Sequence, residues 1–390
     1  MSTEFTGSSE TTGQTNMNKL PQTHAKDSLY ELTRFELSKQ FKAWGQPAFR
    51  ADQIWQWVYN KGCRDFWRMS NIRKDLRSFL DQMYSLELPP LSVLISSEDQ
   101  TVKGLLELWD AEQVEWVLIP DKDHFTLCLS TQVGCSLACS FCSTGRMGFV
   151  RNLSAGEIVA QVLVARQILA EQDSAWPLRN IVFMGMGEPL LNWPEVEKSL
   201  HIIRDSLGLG FSHRRVTIST VGLPRLLETF AHTQLASLAI SLHAPTQKLR
   251  QQIMPRAAGM LPLPDLVQRL QNLPLKPRQR ITIEYLLLGG VNDGLAQARD
   301  LNRLLSCLKC KINLISFNPA PGLPYQAPGK DNVLAFQQFL QNKGQTVTLR
   351  KSKGQDIQAA CGQLRNTLSR DGSKHFPLVD DKGRRDHAQT

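Results

Sequence analysis

Six alternations of a short apolar stretch with a longer amphipathic one, between Phe125 and Asn342, predict an α/β fold. The expected form is an open, partial (β/α)6 barrel of parallel strands with a small N-terminal helical accessory domain. Two further observations support it. Polar or charged residues recur just after the expected strands, where barrels gather their chemistry. The segment Leu88-Pro89-Pro90-Leu91 interrupts the chain after a run of helical periodicity. A doubly wound open sheet accommodates the same alternation, but the placement of the polar residues favours the partial barrel.

In chain order, residues 1–26 are dominated by Ser, Thr, Gln and Asn and are expected to form a disordered tail. They have neither the charge order nor the apolar run of an export signal. No apolar run of about eighteen residues occurs anywhere, so the expectation is a cytoplasmic protein with no membrane partner. Residues 27–95 read as short helices. Ile54, Trp55, Val58 and Tyr59 form one stripe over Phe49 to Lys61, and Lys61-Gly62 is a C-cap signal. After Ser70, the residues Ile72, Leu76, Phe79 and Leu80 share a second face. Residues 96–124 are expected to be a strand-rich connector, with Leu105 to Pro120 as a pair of strands that carries Glu115. Residues 125–366 form the barrel and a catalytic loop, and 367–390 a polar C-terminal tail.

The net charge is +9, from 45 Lys and Arg against 36 Asp and Glu, a modest lean toward a polyanionic partner. The lean is concentrated. Between Lys39 and Asp81 nine basic residues face four acids, together with four of the eight tryptophans, Trp44, Trp55, Trp57 and Trp67. Two readings stand side by side: a helical bundle with core tryptophans and solvated arginines, or a module that grips RNA through its shape and phosphates.

Within the barrel, strands are expected at 125–130, 181–185, 215–219, 236–242, 280–286 and 311–317, with a short last strand at 344–349. Helices are expected at 155–171, 194–207, 222–231, 262–272, 293–306 and 330–342. The strand ends carry a cysteine loop, then Gly185-Met-Gly187-Glu188-Pro189, Ser219-Thr220, Ser241-Leu242-His243 and Asn318-Pro319. Each residue has an ordinary reading as a turn glycine, a helix cap, a satisfied histidine or a turn starter. Their functional reading is joint: together they could hold the carboxylate, ammonium, ribose and adenine of a sulfonium cofactor.

The cysteine loop is Cys135-Ser-Leu-Ala-Cys139-Ser-Phe-Cys142. Three thiolates so spaced can hold three irons of a [4Fe–4S] cube and leave the fourth open to a small molecule. Structural zinc usually takes four ligands, and the other close pair, Cys307 and Cys310, lies far downstream. Eight cysteines in 390 residues suit a reducing compartment. Cys128 lies near the end of the first strand, and Cys361 precedes a glycine in a polar, loop-like context, either as an ordinary thiol or as a nucleophile.

These motifs, with Gly148-Phe149-Val-Arg-Asn-Leu153, Gly185-Met-Gly-Glu-Pro-Leu190 and Ala360-Cys-Gly-Gln-Leu364, resemble the RlmN/Cfr type of radical S-adenosylmethionine RNA adenine methyltransferases from about Tyr30 to Leu364. The resemblance implies a partial (β/α)6 barrel with an accessory domain. It implies a cluster on Cys135, Cys139 and Cys142, and S-adenosylmethionine contacts from Gly187, Glu188, Ser219, Ser241, Leu242, His243 and Asn318. Cys361 would carry the transferred methyl through an S-methylcysteine and a protein–RNA adduct, Glu115 would accept a proton, and Cys128 would resolve the product. A disulfide bond between Cys128 and Cys361 would result, reset by an external reductant, and an external donor would supply electrons. The implied substrates are a 23S rRNA adenosine and adenosine 37 of tRNA, methylated at C2 by a monomer. Pro189 leans toward the C2 branch, whereas the C8 branch resembles Gly-Met-Gly-Glu-Ala-Leu at this point. A radical enzyme acting on a small molecule or peptide is the other reading.

Overall fold

A computed structural model describes residues 26–350, 352–359 and 362–364. The expectations for the two tails and for Cys361 fall on residues outside this set. The chain divides into two compact units after Glu87.

The first unit opens with a two-residue strand, β1 (Asp27–Ser28), and runs through α1 (Arg34–Ala43), α2 (Phe49–Trp55) and α3 (Lys74–Met83) to β2 (Tyr84–Ser85), which pairs with β1 in parallel. A capping box starts α1: the Glu36 amide donates to Thr33 Oγ1 at 3.2 Å, and the Thr33 amide to Glu36 Oε2 at 2.7 Å. Leu37, Phe41, Ile54, Trp55, Tyr59, Leu76 and Leu80 fill the core. The helix expected from Phe49 to Lys61 changes type midway. After Trp55 it widens into a π turn, Gln56–Asn60, which closes with the Lys61 amide on Gln56 O at 3.0 Å. Gly62, at φ +66°, takes the left-handed position that ends the helix.

The second unit is built on one ten-stranded sheet. Its antiparallel part is β3 (Leu91–Ser96), β4 (Val102–Glu107), β5 (Gln113–Asp121) and β6 (His124–Cys128). A small antiparallel pair, β7 (Gln132–Gly134) and β8 (Phe149–Asn152), follows, with the short helix α4 (Ser143–Met147) between its strands. The alternation then runs α5 (Ala155–Glu171), β9 (Leu178–Phe183), α6 (Trp193–Arg204), β10 (Val216–Thr220), α7 (Leu226–Thr233) and β11 (Ser237–Ser241). It continues through α8 (Gln247–Ile253), α9 (Pro255–Met260), α10 (Leu263–Gln271), β12 (Ile281–Leu287), α11 (Leu295–Leu305), β13 (Cys310–Ser316), α12 (Lys330–Asn342) and β14 (Val347–Arg350). From β6 through β9 to β14 every neighbour is parallel, and β3 and β14 are the two edges, so the curved sheet stays open as a partial barrel.

Leu105 to Pro120, read from sequence as two strands of a connector, falls on β4 and β5, which with β3 form the antiparallel flank of the main sheet. Val102 to Leu106 and Val114 to Leu118 are buried at every position, so both faces of these strands are covered. The helices α8 and α9 and the β7–β8 pair were not anticipated, because each is too short to establish a period. No helix among the described residues is long and apolar enough to cross a membrane.

A candidate active site at the strand ends

One cavity opens at the C-terminal ends of the parallel strands. Its walls include Cys135, Cys139 and Cys142 on one side, and Gly187, Glu188, Ser219, Ser241, His243 and Asn318 around the others. Cys128, the last residue of β6, also lines it. Leu242 is buried beside it without lining it, as is Glu115. Cys361 lies outside the described residues, but Ala359, Gly362 and Leu364 contribute to the wall.

Backbone contacts hold the cysteine loop in shape. The Cys135 amide donates to Gly148 O at 2.7 Å and the Cys142 amide to Cys139 O at 3.1 Å. Ser140 bonds to the Ile253 carbonyl through its amide at 3.0 Å, and its hydroxyl lies 2.7 Å from that of Tyr325. Gly134, at φ +74°, has no room for a side chain: a Cβ would stand 1.9 Å from Gly148 O. Burial pushes the Cys135 thiol up to about 12 and the Cys139 thiol well above its ordinary range, with the neighbouring cysteines adding to both. Thiolates here therefore call for a strongly cationic partner. No three His, Cys, Asp or Glu among the described residues converge on a single ion. A cube of irons asks each thiolate for a separate iron, so three cysteines that line one cavity without converging on a single point fit a cluster better than one ion.

The remaining walls are equally determined. A Cβ on Gly187 (φ +100°) would meet the Gln132 side chain at 2.6 Å, so this turn passes only as glycine. Glu188 follows it, 3% exposed, and accepts from the amides of Leu190 at 3.1 Å and Val221 at 3.0 Å. Burial still raises its carboxyl to about 7. Ser219 and Ser241, from adjacent strands, place their hydroxyls 3.1 Å apart. His243 takes φ +56° and its Nδ1 accepts from the Leu286 amide at 3.1 Å. Burial, then the nearby Arg250, lowers its pKa to about 3, so it is a neutral imidazole with Nε2 as the remaining donor. Arg250 is itself fully buried and ties the rim together through the carbonyls of Val221 at 2.8 Å and Leu261 at 3.1 Å. Asn318 Oδ1 accepts from Gln355 at 2.7 Å.

Glu115, on β5, is fully buried with its carboxylate 3.5 Å from Lys103 Nζ. The cavity is also lined by three charged residues that sequence reasoning missed, Glu284, Arg350 and Lys353. Glu284 interrupts the apolar run of β12, which was a usable signal. It accepts from Asn313 at 2.7 Å, and burial raises its pKa. Arg350 ends a short strand and gave no local signal.

The expected disulfide bond is corrected. No disulfide occurs among the described residues, whose cysteines are Cys63, Cys128, Cys135, Cys139, Cys142, Cys307 and Cys310. Cys128 packs with Val117, Met186, Ala359 and Leu364 in an apolar cluster. A sheet with this much buried apolar surface is held without covalent staples.

Two family models match the chain: the ribosomal RNA large subunit methyltransferase N-terminal domain over residues 28–86, and the radical SAM superfamily over residues 129–301. A dual-specificity RNA methyltransferase RlmN from Solidesulfovibrio magneticus is 53% identical over 345 residues, which cover 88% of this chain and 98% of that protein. The protein of that name from Nitratidesulfovibrio vulgaris (Miyazaki F) is 51% identical, covering 84% of this chain and 92% of its own. The crystal structure of a radical SAM methyltransferase from Sphaerobacter thermophilus superposes with a TM-score of 0.81 at 39% identity, over 87% of this chain and 99% of that one. The chain belongs to the RlmN family of the radical S-adenosylmethionine superfamily.

Proposed function

We propose that this protein methylates C2 of an adenosine in the peptidyl-transferase centre of 23S rRNA and C2 of adenosine 37 in tRNA. It is a dual-specificity RNA methyltransferase of the RlmN type, working with S-adenosylmethionine and a [4Fe–4S] cluster. The observation that carries the residue assignments is the convergence of Cys128, Cys135, Cys139, Cys142, Glu188, Ser219, Ser241, His243 and Asn318 on one cavity.

When bound, the cluster and S-adenosylmethionine supply the one-electron chemistry and the methyl group. The chain supplies grip and placement. Cys135, Cys139 and Cys142 each hold one iron. Gly187 would leave backbone open toward the cofactor, and the Glu188 carboxylate would serve its ammonium. Ser219 and Ser241 form a hydroxyl pair for its carboxylate or ribose. His243, neutral and donating from Nε2, and Asn318 serve the adenine edge, with Leu242 setting the His243 backbone. Cys361 carries the methyl, Glu115 takes the ring proton and Cys128 acts in product release. The basic first unit grips RNA phosphates. We further infer an external electron donor, a monomer and a cytoplasmic setting, where both RNAs are found.

The test uses anaerobically reconstituted protein with unmodified 23S rRNA fragments and tRNA. Wild type is expected to yield 2-methyladenosine by nucleoside mass spectrometry. Cys139→Ala loses the cluster, Cys361→Ala keeps the cluster without methylating, and Cys128→Ala accumulates a protein–RNA species on denaturing gels. Only 8-methyladenosine would overturn the C2 assignment. Normal turnover by Cys361→Ala or Cys128→Ala would overturn their roles.

A further inference from the structure

Lys103 is the second residue of β4 with its side chain 1% exposed, a placement that lysine takes only when its ammonium is held. Its Nζ stands 3.5 Å from Glu115 Oε1, on the adjacent strand. It also donates to the carbonyl of Gln358 at 3.3 Å. One buried cation thus touches both the acid at the strand end and the segment 352–359, which leads in sequence to Cys361.

That segment is a strap laid along the turn before β4. The Gly354 amide donates to Asp99 Oδ2 at 3.0 Å, the Glu98 amide to Asp356 Oδ2 at 3.1 Å, and the Ser97 hydroxyl to the Asp356 carboxylate. These anchors stop at Asp356. Both ends of the strap reach the cavity, Ser352 and Lys353 lining it at one end and Ala359 at the other, and the Lys103 contact holds the Ala359 end, one residue away at Gln358. Gln358 adopts φ +52°, a left-handed conformation that is unfavourable for a non-glycine residue. Its carbonyl is turned toward the ammonium, and the turn closes with the Ala359 amide on Gly354 O at 2.8 Å. A buried ion pair adds little net stability over an apolar pair of similar volume, so stability alone does not account for a lysine here.

We propose that Lys103 is a positioning residue: its ammonium locks the 354–359 turn against β4, setting where Ala359 meets the cavity, and orients the Glu115 carboxylate through the same nitrogen. This rests on the roles assigned above to Glu115 and Cys361, but its first readout does not.

The experiment compares full-length, cluster-loaded wild type with Glu115→Gln, Lys103→Met and Lys103→Met/Glu115→Gln by hydrogen–deuterium exchange. The double variant leaves no unpaired buried charge and carries the test should Lys103→Met alone fail to fold. In the double variant, amides of 354–359 are expected to exchange about tenfold faster or more, the loss of one charge-assisted hydrogen bond, with β9 to β13 unchanged. Glu115→Gln alone keeps the strap protected, because the Lys103–Gln358 bond survives. In methylation assays Lys103→Met is expected to lower kcat about a hundredfold, as misplacement of a reacting group does, while KM for RNA stays within about twofold. Equal strap exchange in the double variant and Glu115→Gln overturns the proposal. So does faster exchange spread over the whole sheet, or a rise in KM with kcat unchanged. Should wild type itself fail to methylate RNA, the functional reading falls while the exchange comparison still decides for or against Lys103.

Discussion

Glu188 shows how a single buried carboxyl ties the site to pH. Two backbone amides stabilise its charged form, yet burial outweighs them and raises it from 4.5 to about 7. Between those values the folded protein holds a proton that the unfolded chain has lost, so this group's contribution to stability falls as pH rises from about 4.5 to 7 and is level above that. The full effect is roughly 3 kcal/mol, from 1.36 kcal/mol per unit. Glu188→Gln removes the titration. The expected outcome is that the variant gains on wild type in ligand-free thermal unfolding as pH rises from 5 to 7, and a constant difference over that range would refute the shift. Why Glu188, Ser219, Ser241 and His243 could be anticipated as one site is also a residue-scale matter. Ser219 and Ser241 stand at the ends of apolar strands and Glu188 and His243 just past them, and parallel strands deliver their ends to one rim. Glu284 belongs to no motif and is marked only by its break in the apolar run of β12, and the Lys103–Glu115 pair joins two strands through space, which no local pattern marks.

At the scale of elements, helix α5 was placed from sequence at the bounds the structure gives it, because its start is chemically marked. Ser154 caps it, accepting from the Glu157 amide at 3.2 Å, while Glu157 returns a bond to the Ser154 amide at 3.0 Å. Glu157 also takes two bonds from Arg151 on β8, at 2.8 and 2.9 Å, and Arg151 reaches on to Asp110 in the β4–β5 turn at 2.6 Å. One carboxylate thus joins a helix start, the β7–β8 pair and the antiparallel flank. Ser154→Ala is expected to cost about 1 kcal/mol. Glu157→Ala, which also strands half of a partly buried ion network, is expected to cost about 3 kcal/mol. Urea unfolding of the two variants checks the ranking, and equal losses would mean that Arg151 adds nothing beyond the cap. The start of α7 was less legible. It begins four residues later than expected, after Pro224 and a left-handed Arg225 at φ +62°, which apolar periodicity does not register.

For the whole molecule, the two readings of the basic first unit point to different residues. Trp55 is fully buried against Tyr59, with ring centroids 4.3 Å apart, and is core. Trp67 and Phe49 are about half exposed and carry cations over their rings, Arg77 at 5.8 Å and Arg50 at 4.9 Å, while Lys61 covers Trp57 at 3.7 Å. An aromatic face beside a mobile cation can stack on a base while the cation meets a phosphate. The amphipathic periods locate the helices, but they cannot tell a tryptophan turned inward from one on the surface, because both satisfy the same stripe. Neutral substitution of Arg68, Arg73 and Arg77 to Gln keeps Trp55 and its core neighbours intact, so the fold should hold. If each arginine meets one phosphate, the slope of log K against log salt for RNA binding should shrink by up to about 0.9 per arginine on a duplex region. Arg73 already lies in an exposed ion pair with Asp75 at 2.5 Å, so it should contribute least of the three. Filter binding of tRNA over a range of salt concentrations measures this directly, and an unchanged slope would return the unit to a purely structural role. S-adenosylmethionine binding, which we assign to the cavity of the second unit, should remain at the wild-type level in the same protein, separating loss of RNA grip from loss of the proposed active site.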